Sequence, residues 1–187
     1  MIRIVIGAIL GGLAQFIVGA IAWTTIANSI AYKHLTDATM GDLHVSLART
    51  LSPTGTGTYF IPDPSTPAAT ALFGRGPVAL IFFNASGFPM MKPSALLVGL
   101  ILSIGMLLLV GLALRHVRGF AEKLQVAGLF GVATVVYFVL SLPVYNFYMP
   151  WSWWVFLAIQ ELLAFAAGAF ILIRWFMPES AAPATLH

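Results

Sequence analysis

The stretch WWVFLAIQELLAFAAGAFILIRW, residues 153–175, decides the fold. It is apolar apart from Gln160, Glu161 and Arg174, and at about 1.5 Å of rise per residue it can cross roughly 30 Å of hydrocarbon as one helix. Glu161 lies near its middle, where a carboxylate needs a partner, a proton or water. One acid marks a functional candidate without naming a reaction.

Reading outward, residues 4–26, 94–114 and 124–142 have the same character. The composition agrees: 60% of the 187 residues are hydrophobic, 8% are charged and the mean hydropathy is +0.96, which no ordinary soluble domain matches. The expected fold class is an all-α membrane protein, a four-transmembrane-helix bundle with a long extracytoplasmic subdomain after the first helix. Its divisions are a first span within residues 1–26, an outer loop at 27–93, spans at 94–114, 124–142 and 153–175, and a tail at 176–187. Ala20, Ile21 and Ala22 have the small-x-small form of a signal-peptidase site, but the apolar run is longer than a usual signal segment, so a retained first helix is expected.

Nine Lys and Arg against six Asp and Glu give a net charge of +3, too few cations to neutralise a nucleic-acid backbone. The absence of cysteine excludes disulfides, iron–sulfur clusters, thiolate metal sites and a cysteine nucleophile, and does not fix the compartment.

Orientation follows from cations on short loops. Arg3, Arg115, Arg118, Lys123 and Arg174 should share the cytoplasmic side, which puts both termini there and the uncharged connection 143–152 outside with the long loop. Tyr145, Phe147, Tyr148, Trp151, Trp153 and Trp154 would form an aromatic belt at one interface, and Trp175 marks the other. Arg115, Arg118 and Lys123, with His116 between the arginines, are candidates for holding lipid headgroups.

The outer loop carries local signals of its own. Asp42 is a candidate cap for a short helix in which Leu43, Leu47 and Leu51 recur at a spacing of four before Pro53 stops it. Residues 56–61 and 78–83 are β-branched or aromatic runs bounded by Gly and Pro, with a turn through Pro62, Pro64 and Pro67 between them; a small two-stranded pairing is expected. His34, Asp37 and His44 have ligand chemistry and would share a helical face, but Thr36, Thr39 and Gly41 speak against a continuous helix, so no metal site is expected. The glycine turns at residues 55–58 and 74–77 lack the strand-to-helix context of a phosphate loop, Ser86 and Gly87 lack the context of a nucleophile elbow, and no His lies in a span to hold haem. No cofactor is expected.

Within the membrane, helices associate through close packing and interhelical hydrogen bonds. Small residues mark contacts: Gly7, Gly11, Gly12 and Gly19 on the first span, Ala95, Gly99 and Ser103 on the second, Gly128, Gly131 and Thr134 on the third, Ala164 and Gly168 on the fourth. These faces suit a bundle, self-association or another membrane protein. Gln15 and Glu161 have matching depths and are expected to hydrogen-bond, with Gln160 beside them and Asn146 as a fourth polar candidate. The halves differ in loop length and charge, which argues against inverted repeats.

Residues 7–23 (GAILGGLAQFIVGAIAW), 57–62 (GTYFIP) and 76–79 (GPVA), within this layout, resemble a group of small uncharacterised bacterial four-span inner-membrane proteins. The resemblance implies a bacterial inner membrane and a periplasmic segment after the first helix; it implies no activity or cofactor. Plentiful packing surfaces and few convergent polar groups point first to a non-enzymatic accessory or scaffolding subunit of a larger membrane complex. The rival is a small transporter or a lipid- or quinone-binding protein with its site around Glu161. A membrane enzyme would need acid–base partners that the residues do not supply.

Overall fold

The structure, a computed structural model, describes residues 1–63 and 65–177. Two compact units are present, one formed by Met1–Tyr32 with the chain from Lys92 onward, the other by Lys33–Met91.

The first unit contains four helices long and apolar enough to cross a membrane: α1 (Ile2–Ile30), α4 (Pro93–Leu114), α5 (Phe120–Tyr145) and α6 (Trp151–Phe176). Each coincides with an expected span and extends beyond it, because the interfacial ends of spans continue in helical form past the apolar window. Glu122 and Lys123, outside the expected third span, lie in the first turn of α5, which opens after Gly119 at a φ of +78°. Pro93 begins α4, where its missing N–H has no helical partner to lose. The tail expected over 176–187 lies, from residue 178 on, outside the described residues.

Three of these helices contain a widened π turn, at Ala22–Ile26, Val135–Val139 and Leu172–Phe176. In α1 the Thr24 and Thr25 hydroxyls donate to the carbonyls of Ala20 and Ile21, at 2.8 and 2.6 Å, competing for the acceptors of the regular ladder. In α5 the cause lies ahead: Pro143 has no N–H to return to the carbonyl of Val139, and Leu140 N–H reaches back to Val135 at 3.0 Å.

Helix α1 is the centre of the unit, packed along both α4 and α6, while α5 packs chiefly along α6 and touches α4 little. Glycine makes both α1 crossings close. A Cβ on Gly11 would stand 2.6 Å from the Gly168 carbonyl oxygen, one on Gly168 would stand 2.7 Å from that of Gly11, and one on Gly12 would meet the Ile104 backbone at 2.7 Å. Gly131 similarly admits the Phe165 ring between α5 and α6. Several of the small-residue faces are therefore spent inside the bundle; Gly105 and Gly128 remain with nothing beside them among the described residues.

The tightly packed core occupies one half of the bundle. Ala8, Leu107, Leu114, Ala127, Phe165, Ala169, Leu172 and Ile173 form it, all towards the end that carries the Arg115–Lys123 connection. Lys123 belongs to this core: it is buried, and its ammonium donates to the Met177 carbonyl at 3.0 Å, satisfying an acceptor past the last turn of α6. The exposed headgroup-binding role expected of Lys123 does not fit this position.

In the second unit, α2 (Asp37–Leu51) is capped by the Thr36 hydroxyl, which accepts from Thr39 N–H at 3.3 Å. The expectation of a helix beginning at Asp42 is corrected: a Thr cap with Asp37 in the first turn starts it earlier, and Thr39 and Gly41 lie within it. The expected strand pair is present as β1 (Gly57–Ile61) and β2 (Ala79–Phe83), antiparallel with Tyr59 opposite Ile81. Between them lies α3 (Pro67–Phe73), capped by Thr66 and not foreseen. Tyr59 pins the sheet by donating to the Gly55 carbonyl at 2.6 Å and stacking edge-on to Phe83, while Phe60 meets Phe73 of α3. Pro64 of the expected turn is outside the described residues.

Candidate functional site: a polar layer at mid-span

Away from the packed core, the middle of the bundle carries its polar side chains. Gln15 lies midway along α1, Ser103 midway along α4, Thr134 near the middle of α5, and Gln160 and Glu161 within a turn of the middle of α6. Consecutive residues on a helix point about 100° apart, so the α6 pair divides its surroundings. Gln160 is buried, whereas Glu161 is exposed on the bundle surface.

Glu161 is common to two cavities. One, of about 420 Å³, is walled by α1, α4 and α6 and includes Gln15, Phe16, Trp23, Ser103 and Gln160. It extends along α4 from Leu96 to Ser103, about 10 Å of helix, and so reaches from near the start of that span to its middle. The other, of about 270 Å³, lies among α4, α5 and α6, with Met106, Thr134, Val135 and Val139 in its wall. The π turn of α5 supplies Val135 and Val139, placing a distorted segment beside the carboxylate, as π turns often lie at functional sites. A third cavity, about 350 Å³ and almost wholly apolar, runs between α1 and α6 to Gln160.

Hydrogen bonding at this layer is incomplete. Gln160 Nε2 donates to Glu161 Oε1 at 2.6 Å, and Gln15 Nε2 donates to Met106 Sδ at 3.5 Å, a weak acceptor. Among the described residues, the Oε1 atoms of Gln15 and Gln160 are buried without a partner. Rotating either amide by half a turn would orphan its NH₂ and take the donor from Met106 or Glu161, so the oxygens are the ends left free. Ser103 Oγ donates to Gly99 O at 3.1 Å and keeps its lone pairs for a donor. Both buried atoms left unsatisfied in this layer, among the described residues, are acceptors.

The expected hydrogen bond between Gln15 and Glu161 is not formed: Gln160 meets the carboxylate, and Gln15 donates to Met106 instead. Asn146 is not part of the layer. It closes the end of α5, donating to Leu142 O at 2.9 Å and accepting from Tyr148 at 3.2 Å. Ser103, Met106 and Thr134 belong to the cavity walls and are not among the expected site residues; the sequence marks Ser103 and Thr134 only as small residues at helix contacts, and Met106 only by its mid-span position.

The remaining candidates fall elsewhere. His34 precedes the Thr36 cap, so it does not share a helical face with Asp37 and His44, and among the described residues no three His, Cys, Asp or Glu side chains gather as a metal cluster. Arg115, His116 and Arg118 are exposed, Arg115 donating to His116 at 2.7 Å, and Arg174 lies 6.0 Å from the Phe120 ring centre. Trp153 stacks with Trp23 and Tyr32 at 5.5 and 5.2 Å between centroids; Tyr145, Trp151 and Trp175 are exposed and Trp154 is half-buried. Comparison with protein-family models, with curated proteins and with solved structures finds no match.

Proposed function

We propose that this chain is a non-enzymatic binding protein of a bacterial inner membrane, with both termini cytoplasmic, that holds a small amphiphile at the polar layer around Glu161. The observation that carries the reading is that Gln15 and Gln160, whose side-chain oxygens are buried and unpartnered among the described residues, line one cavity together with Glu161. Leaving buried acceptors unmet costs about 1–3 kcal/mol each, a cost that an occupant with donors removes. The cavities are of ligand size and largely apolar with a few convergent polar groups, the usual make-up of a small-molecule site. One carboxylate and two amides hold a ligand by hydrogen bonds, whereas acid–base chemistry needs a second titrating partner.

A second reading, the accessory or scaffolding subunit, is favoured by Gly105 and Gly128, which remain open for the approach of another helix. Native mass measurement after extraction in a mild detergent separates the two. A bound small amphiphile is expected; a second polypeptide would instead support the subunit reading, and a bare monomer would sink both.

Orientation rests on the cations near span ends and is open to a clean test, because the chain has no cysteine. Ala38→Cys and Ala121→Cys both replace exposed residues. In intact spheroplasts an impermeant maleimide is expected to label Ala38→Cys at once and Ala121→Cys only after permeabilisation; the reverse pattern would invert the topology.

A further inference from the structure

We infer that the occupant of the mid-span cavity presents a primary ammonium group, and that Glu161 with the Gln15 and Gln160 oxygens forms its cradle. The inference rests on the reading of this cavity as a ligand site and adds the chemistry of the ligand.

Among the described residues, Gln15 Oε1 and Gln160 Oε1 lack donors, Glu161 accepts from Gln160, and Ser103 Oγ has lone pairs to spare. An occupant that brings acceptors, such as the carbonyls of a quinone or the oxygens of a phosphate, would set oxygen against oxygen. A hydroxyl brings one donor. An –NH₃⁺ group brings three and a positive charge, matching two amide oxygens and one carboxylate in number and sign. Among the described residues, no Lys or Arg lines the cavity to compete for the carboxylate.

The walls agree with an organic cation. Phe16 and Trp23 line the same cavity, and aromatic rings attract cations while accommodating an apolar body. At about 420 Å³ the cavity is much larger than a bare metal ion needs and suits a small amine or the headgroup of an amino lipid. Its run along α4 from Leu96 to Ser103 would let such a group descend from the interface without crossing open hydrocarbon.

The test uses the full chain in phosphatidylcholine nanodiscs, titrated with dodecylamine, dodecyltrimethylammonium and dodecanol and followed by tryptophan fluorescence, since Trp23 borders the site. Dodecylamine is expected to bind at least about tenfold more tightly than either analogue, because only it carries both charge and N–H donors. Glu161→Gln should weaken dodecylamine by about tenfold or more, and Gln15→Met should weaken it several-fold while keeping a thermal midpoint at or above that of the parent, which separates loss of a ligand group from loss of fold. Equal binding of all three probes would overturn the ammonium assignment and leave the cavity as a ligand site; binding of none, with the chain folded, would overturn both. Adding phosphatidylethanolamine to the nanodiscs then identifies the source. Displacement of dodecylamine assigns the ammonium to a lipid headgroup, persistence assigns it to a free amine, and either supports the class.

Discussion

Valine at Gly11 or at Gly168 is expected to prevent the bundle from assembling. The two glycines face each other across the α1–α6 crossing, and a Cβ on either would come within 2.7 Å of the other's carbonyl oxygen. What it would meet is backbone, so no side chain can swing aside; the helices must separate. Separation undoes more than one contact, because α1 is also in backbone contact with α4 through Gly12 and Ile104, and the core residues Ala8, Leu107 and Leu172 depend on the same spacing. Overpacking a well-filled core costs about 1–3 kcal/mol where side chains can adjust, and a backbone clash belongs at or above the upper end of that range. The matched controls are Gly105→Ala and Gly128→Ala, which meet nothing within 4 Å among the described residues; they should be neutral or stabilising by about 0.5–1 kcal/mol through helix propensity. Thermal unfolding in detergent, followed by size-exclusion chromatography, reads all four. Gly11→Val melting within a few degrees of the parent would refute the crossing.

These contrasts also show where sequence suffices. Spans are legible because hydrocarbon imposes length and apolarity on every residue of a window, and α1, α4, α5 and α6 all coincide with expected segments. The strand pair was legible for a similar reason: residues 56–61 and 78–83 are dense in β-formers and cut off by Gly and Pro. The start of helix α2 is not legible in the sequence because Thr39 and Gly41 have poor propensity, and a single Thr36 cap outweighs that locally. The site was half legible. Depth alone brought Gln15, Gln160 and Glu161 into one layer, but which residue meets which depends on helix rotation, and rotation is set by glycines that look alike in sequence. Gly11, Gly12 and Gly168 are spent on crossings whereas Gly105 and Gly128 are not; nothing in their flanking residues distinguishes them. Lys123 was misplaced for the same reason, since a cation near a span end can face headgroups or a neighbouring helix terminus.

Glu161→Leu is expected to make the protein more stable and to abolish ligand binding. A charged side chain at the centre of a span costs about 2.5–3.5 kcal/mol on insertion scales, while leucine contributes about −0.5 kcal/mol, so the substitution should favour insertion of residues 151–176 by roughly 3 kcal/mol. Against this stands one lost hydrogen bond, the 2.6 Å contact from Gln160. Interhelical and intramembrane hydrogen bonds contribute about 0.6–2 kcal/mol, and the freed Gln160 NH₂ would carry a further part of that cost. The insertion gain outweighs the lost bond, leaving a net stabilisation of about 1–2 kcal/mol. An insertion assay on the isolated span and thermal unfolding of the full chain measure the two effects separately. If insertion improves but the full chain melts earlier, Glu161 is a packing clasp whose partner bond outweighs its solvation cost, and the binding reading loses its central residue. If both improve and the bound amphiphile disappears, the carboxylate is held in the membrane against a stability cost, and occupancy of the cavity is the function that offsets it.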